Sequence, residues 1–309
     1  MGDPYEAVII GGGPAGLTAG IYLLRAGVRR TILLERQLAG GAAVNTEHIE
    51  NYPGFPEGVA GRELMGKIVD HSRAHGLAIR EFSEVLGVAW EDGLFTTTVD
   101  KESYRSAGLI VAIGTEPVKL GIPGEDNLLG RGISYCATCD AMFFRNLDVA
   151  VIGGGDAALS EALTLANIVA KVYVIHRRDR MRAQQILQDR AARNDRIEFL
   201  PGKVPLSVNG GDQVESVTLR DMKTNEESEL KVSGVFFYVG SRPDTAFLGS
   251  LVDRDEAGFI VTDEDLATKT QGLFAAGDVR RKSLRQITTA VGDGALAAVS
   301  LERYLLEKR

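Results

Sequence analysis

Cysteine is scarce in this chain: two in 309 residues, beside four histidines and one tryptophan. So few cysteines argue against a disulfide-dense secreted scaffold. Cations are not in excess either. Thirty-five Lys and Arg face 42 Asp and Glu, for a net charge of −7, and no basic block exceeds the Arg177–Arg182 region. Electrostatic binding to nucleic acid needs a basic surface, so we expect no such partner. No uninterrupted apolar run approaches the roughly 18–20 residues of a membrane span, so we expect no membrane partner. Asp3 and Glu6 stand where a signal peptide would be basic and then apolar. These absences lead us to expect a cytoplasmic protein, in which a close cysteine pair is more often catalytic or metal-binding than a staple.

The chain does contain a glycine fingerprint, and contains it twice. Ala7-Val8-Ile9-Ile10 runs into Gly11-Gly12-Gly13-Pro14-Ala15-Gly16. Val149-Ala150-Val151-Ile152 runs into Gly153-Gly154-Gly155-Asp156-Ala157-Ala158. The correspondence continues without a gap, so Thr31–Glu35 falls opposite Tyr173–Arg177. Each copy predicts strand, glycine turn, helix and second strand, a βαβ unit. The Val/Ile/Leu-rich strands suit parallel sheets covered on both faces. One such fingerprint is weak evidence, whereas two in matched context are strong. The first Gly makes the tight turn, the second admits a pyrophosphate, and the helix N-terminus offers free N–H groups.

The end of the second strand faces the adenosine ribose. An acid there accepts from the ribose hydroxyls, and a cation there suits a 2′-phosphate. The first copy has Glu35, which fits FAD or NAD. The second has Arg177, then Arg178 and Arg182, which predicts NADPH. His176 belongs to the same pocket wall. Chemistry assigns the flavin to the first site, because a flavin can take a hydride and pass electrons to sulfur.

Both cysteines lie in Ser134-Tyr135-Cys136-Ala137-Thr138-Cys139-Asp140, just upstream of the second fingerprint. A Cys-x-x-Cys pair beside two nucleotide sites reads as a redox centre. A predicted helix start there favours thiolate, and Asp140 is placed to exchange a proton with a departing sulfur. A zinc site would have to add His71 and His75, which are more simply surface positions on a helix; we expect no metal.

The segments between these motifs are β-rich. Asp92-Gly93 predicts a hairpin turn, and Asn209–Asp212 and Lys223–Glu227 predict two more. A strand at Leu273–Ala276 precedes Gly277-Asp278, and a helix is expected from Ile287 to about Leu306. The fold class is therefore α/β, with two Rossmann-like three-layer nucleotide-binding domains, each with a small antiparallel β appendage. The expected FAD domain is discontinuous, residues 1–117 plus 244–309. The NADPH domain, residues 118–243, is inserted in it and carries the cysteines.

These pieces, with Glu47–Gly54, Ala112-Ile113-Gly114-Thr115, His176–Asp179 and Arg285-Gln286, resemble the low-molecular-weight thioredoxin reductases over essentially the whole chain. The resemblance implies NADPH, FAD, a homodimer and a thioredoxin-like partner. It implies that Cys139 faces the flavin, that Cys136 attacks the partner's disulfide, and that Asp140 is the acid–base group. It places Arg36, Gly41, Ala42, Asn51, Val85, Ala112 and Gly114 at the FAD. It adds Gly277, Asp278, Arg285, Gln286 and Ile287 from the C-terminal segment. Ala42 stands where the family commonly has Gln, and Leu284 where an aromatic residue is frequent. The resemblance further implies rotation of the inserted domain about Glu116–Lys119 and Arg242–Thr245. The alternative partner is a glutaredoxin-like protein or a peroxiredoxin system.

Overall fold

The computed structural model describes residues 3–308. The chain forms two compact units: residues up to Glu116 together with those from Arg242 onward, and Pro117–Ser241 between them. The joining segments Glu116–Pro117 and Ser241–Arg242 pair as a two-stranded ribbon.

In the first unit, Tyr5–Ile10 pairs in parallel with Thr31–Leu34 on one side and Glu102–Val111 on the other. Ala78–Arg80 and Leu273–Ala275 extend the parallel sheet. Alternation of side chains along each strand sends two sets of residues to two faces. Ala7, Ile9, Leu33 and Ile110 pack with Leu17, Leu23, Met65 and Leu301 of the helices Pro14–Arg25, Gly61–Ala74 and Ile287–Glu307. Val8, Ile10, Ile32 and Val111 pack on the other face with Phe95, Val99 and Tyr104. That second cover is the antiparallel meander Val85–Glu91, Leu94–Val99 and Glu102–Val111. Its hairpin turns at Asp92 (φ 51°) and Gly93 (φ 76°), as the Asp-Gly pair predicts. It continues the main sheet through the ten-residue strand Glu102–Val111, whose N-terminal half pairs antiparallel and whose C-terminal half pairs parallel.

The second unit repeats the plan. Its parallel sheet has the order Ile197–Pro201, Lys171–His176, Asp148–Gly153, Gly234–Tyr238, Ile133–Ser134. Val149, Val151, Val174 and Phe236 meet Leu159, Ala162 and Leu165 of the helix Asp156–Ala166. Ala150, Ile152, Val235 and Phe237 meet Val208, Val217 and Leu219. Those last three lie on the antiparallel sheet Lys203–Asn209, Ser216–Asp221, Glu227–Lys231, whose turns fall at the two expected places. Each unit is thus helices, parallel sheet and antiparallel sheet in three layers. Leu159 and Leu165 are fully buried, and truncating either to Ala would cost about 2–5 kcal/mol.

Candidate active site

The first glycine turn is built by close approach. Gly11 has φ 106°, and a Cβ there would lie 2.4 Å from the Ala112 carbonyl oxygen. A Cβ on Gly16 would lie 1.9 Å from the Gly11 oxygen, so the helix can start against the strand only without one. Gly13 caps the helix with no side chain on its N–H groups, and Pro14 opens it. A Cβ on Gly13 would meet only the Gly41 Cα, at 3.8 Å, which leaves the turn open to an incoming group. Glu35 closes the other side. Its two oxygens accept from Gly12 N–H at 2.7 Å and Gln37 N–H at 2.8 Å, so the buried carboxylate is fixed at the strand end.

The C-terminal segment adds a polar cluster to the same unit. Asp278 Oδ1 is buried and has no hydrogen-bond partner among the described residues. Burial holds the Asp278 carboxyl above the ordinary aspartate range. An orphaned acceptor of this kind beside a bare glycine turn fits a ligand carrying both hydroxyls and a pyrophosphate, as FAD does.

Other expected flavin residues have structural partners. The Arg285 guanidinium carbon lies over the Phe259 ring, 3.8 Å from its centroid, and Gln286 caps the last helix while accepting from Asn51 Nδ2 at 3.1 Å. Arg36 pairs with Glu116. Ala112 is buried at the end of the central strand, Gly114 lies beyond it with φ 67°, and Val85 opens the meander. Gly277 (φ 78°) starts the turn that carries Asp278, Ile287 opens the last helix, and the exposed Ala42 follows Gly41 in a short 3₁₀ turn.

In the second unit Cys136 and Cys139 are joined as a disulfide. Cys136 caps a single helical turn, Ala137–Asp140, and its sulfur accepts from the Cys139 N–H at 3.2 Å. That donor favours negative charge on Cys136 Sγ once the pair is reduced. Three side chains fix the loop. Ser134 Oγ accepts from Cys136 N–H at 3.0 Å. Tyr135 donates at 2.7 Å to Glu125, a buried carboxylate that also gathers the N–H groups of Leu120, Gly121 and Ile122. Tyr238 accepts the buried Ala137 N–H at 2.9 Å, and burial pushes its own hydroxyl far above the ordinary tyrosine range. Asp140 follows Cys139 with no hydrogen bond to its carboxylate among the described residues.

The second glycine turn repeats the first. Gly155 caps the helix Asp156–Ala166 with no side chain on its N–H groups, and a Cβ there would meet nothing within 4 Å. Ala158 is buried in that helix and contacts Gly153, while Ala157 lies exposed in its first turn. Asp156 is spent on structure: its oxygens accept from the backbone and side chain of Gln184, both at 2.7 Å. That contact ties down the basic loop, and Arg182 N–H also reaches the Gly154 carbonyl at 2.7 Å. Arg177, Arg178 and Arg182 are exposed, and none has a carboxylate partner among the described residues. His176 is buried against Gly154, where a Cβ would strike the ring at 2.6 Å. Burial, and then the three guanidiniums, hold its imidazole below the ordinary histidine range, and its Nε2 has no partner among the described residues.

Comparison with known proteins agrees with this chemistry. The family model described as pyridine nucleotide-disulphide oxidoreductase matches residues 5–294. The chain belongs to this family. A thioredoxin reductase of Bacillus subtilis is 44% identical over 98% of the chain and 95% of its own length. One of Treponema pallidum is 43% identical over 99% and 98%. The crystal structure of Lactococcus lactis thioredoxin reductase matches with a TM-score of 0.95 at 42% identity, covering 98% of this chain and 99% of that one. As a pyridine nucleotide-disulphide oxidoreductase the chain is an enzyme, and FAD and NADPH are its cofactors.

Sequence reasoning passed over Tyr238, Glu125, Met142 and Phe143. Glu125 follows Pro123-Gly124, a turn signal that marks the place without the role. Met142 and Phe143 are 58% and 79% exposed just beyond the redox turn. His71 and His75 lie together on the helix Gly61–Ala74 and its cap, in the unit that lacks the cysteines.

Proposed function

We propose that the protein is an NADPH-dependent thioredoxin-disulfide reductase of the cytoplasm that works as a homodimer. The observation that carries this is the redox loop: an intrachain disulfide with a donor already aimed at Cys136 Sγ and exposed apolar side chains beside it. In the first unit the Gly11–Gly16 turn, Glu35 and Asp278 hold FAD. In the second, the Gly153–Gly155 turn holds the NADPH pyrophosphate, and Arg177, Arg178 and Arg182 hold its 2′-phosphate. When bound, FAD carries two electrons between NADPH and the disulfide.

The chain's own residues do the sulfur chemistry. Two electrons and two protons convert the Cys136–Cys139 disulfide to two thiols. Cys136 loses its proton under the influence of the Cys139 N–H. Its thiolate attacks one sulfur of the partner's disulfide, which forms a mixed disulfide and releases the partner's other sulfur as a thiolate. Cys139 then attacks Cys136 Sγ, which restores the intrachain disulfide and frees the second partner thiolate. Asp140 exchanges protons with the sulfurs as they leave. Each cycle consumes one NADPH and one proton and yields two partner thiols. Met142 and Phe143 give an apolar surface on which a thioredoxin would rest. The paired segments 116–117 and 241–242 are the hinge on which the inserted unit turns.

Trapping tests the assignment of the two sulfurs. With a thioredoxin whose resolving cysteine is removed and whose remaining cysteine is activated as a mixed disulfide with thionitrobenzoate, the Cys136 thiolate of Cys139→Ser protein should displace thionitrobenzoate and accumulate as a mixed disulfide with thioredoxin. Accumulation through Cys139 in Cys136→Ser protein instead would reverse the roles.

A further inference from the structure

Lys282 is unused by the mechanism above, yet its side chain is only 8% exposed. It stands between two carboxylates. Its Nζ is 2.9 Å from Asp293 Oδ2 and 4.0 Å from Asp278 Oδ1. Asp293 Oδ2 also accepts from Gly277 N–H at 3.0 Å and from Arg280 Nε at 2.9 Å. One oxygen of the last helix therefore fixes the backbone just before Asp278 and the ammonium of Lys282 just after it. We propose that Lys282, anchored by Asp293, is a positioning residue that keeps Asp278 ionised and its Oδ1 free to accept from the flavin cofactor.

The geometry separates the two tasks. At 4.0 Å the ammonium acts on Asp278 through its field and leaves the Oδ1 lone pairs without a bond. At 2.9 Å it is bound to Asp293, so it cannot swing forward and occupy the acceptor. The Asp278 side chain is 33% exposed but its Oδ1 is buried, and that burial favours the protonated form, in which Asp278 accepts hydrogen bonds more weakly. The groups that act on Asp278 are Lys282 and Arg285, which favour its charge, and Asp293, which opposes it. Arg280 offsets Asp293 from the other side. Arg285 is committed to the Phe259 ring and to backbone carbonyls, which leaves Lys282 as the cation aimed at the carboxylate oxygens.

The proposal rests on the reading that the Gly277–Asp278 turn meets FAD, and the test keeps the two apart. Holoenzyme is diluted at pH values from 6 to 8.5, and released FAD is followed by its fluorescence. Asp278→Asn should weaken FAD retention about tenfold, the loss of one charge-assisted hydrogen bond. Lys282→Met should weaken it by a similar factor, more at pH 6 than at pH 8.5, because without the ammonium Asp278 protonates at higher pH. Lys282→Arg should stay within about twofold of the parent. In the Asp278→Asn background Lys282→Met should add less than about twofold. An equal loss in both backgrounds, or one independent of pH, would reduce Lys282 to packing and overturn the proposal. Unchanged retention in Asp278→Asn would remove the flavin reading of the turn itself. Should Lys282→Met give no soluble protein, Lys282→Gln enters the same cycle with the same expectations.

Discussion

Replacing Arg177 with alanine should separate the two nicotinamide donors. Arg177, Arg178 and Arg182 are exposed, stand beside the second glycine turn, and have no carboxylate to neutralise among the described residues. A 2′-phosphate would therefore meet guanidiniums that give up no existing ion pair. One charge-assisted hydrogen bond contributes about 1.5–3 kcal/mol. Exposure and screening place this one toward the lower figure. About 1.5 kcal/mol corresponds to roughly a tenfold rise in KM for NADPH. NADH carries no phosphate at that position, so its KM should change by less than about twofold. The Arg182 backbone is tied to Gly154 and Gln184 to Asp156, so the loop should keep its shape when the Arg177 side chain is removed. The assay is steady-state reduction of a thioredoxin with each nucleotide, at low salt and again at about 0.5 M. The tenfold factor should shrink at high salt, where the Debye length falls to a few ångströms. Equal losses with both nucleotides, or a factor indifferent to salt, would refute the phosphate reading of the arginine cluster.

Three further outcomes follow from the same geometry. Gly13→Leu should give a folded, nearly colourless protein, because the protein leaves room for a side chain there and the pyrophosphate needs the same space; full flavin absorbance would refute the site. Tyr238→Phe should lower unfolding free energy by about 1–3 kcal/mol in urea titrations, since it orphans the buried Ala137 N–H, and a neutral result would remove Tyr238 as an anchor of the redox loop. His176 has a folded-state pKa below its unfolded value near 6.5, so its neutral form adds stability that is complete above that pH and lost as pH falls through the folded value. In His176→Asn the urea midpoint should therefore fall less steeply below pH 6.5, and an unchanged slope would contradict the burial account.

The duplicated fingerprint made the core of both units legible. Each copy joins a short continuous apolar run to a bare glycine turn, as a strand covered on both faces and packed against a helix start requires. The hairpin at Asp92-Gly93 was legible for a local reason, the left-handed turn that this pair adopts. How the covering β layer attaches was not. The strand Glu102–Val111 pairs antiparallel in its first half and parallel in its second, and nothing in its sequence marks the change. In the candidate site, the places of Glu35 and Arg177 at the ends of matched strands were legible because the repeat fixes them. Tyr238, Glu125 and Lys282 were not: Tyr238 reaches the Ala137 N–H across 101 positions, while Glu125 and Lys282 act on near neighbours through loop geometry that no motif specifies. Asp156 shows the converse: its place in the fingerprint suggests the ligand, while its oxygens hold Gln184.

The most direct test is a single-turnover electron count. Under anaerobic conditions the holoenzyme, a thioredoxin disulfide and a limiting amount of NADPH are mixed, and new partner thiols are counted by alkylation and mass spectrometry. The account requires two partner thiols for each NADPH consumed, a much slower yield with NADH, and none in Cys136→Ser protein. Partner thiols formed at full rate in Cys136→Ser, or NADPH consumed while the thioredoxin disulfide stays intact, would contradict it.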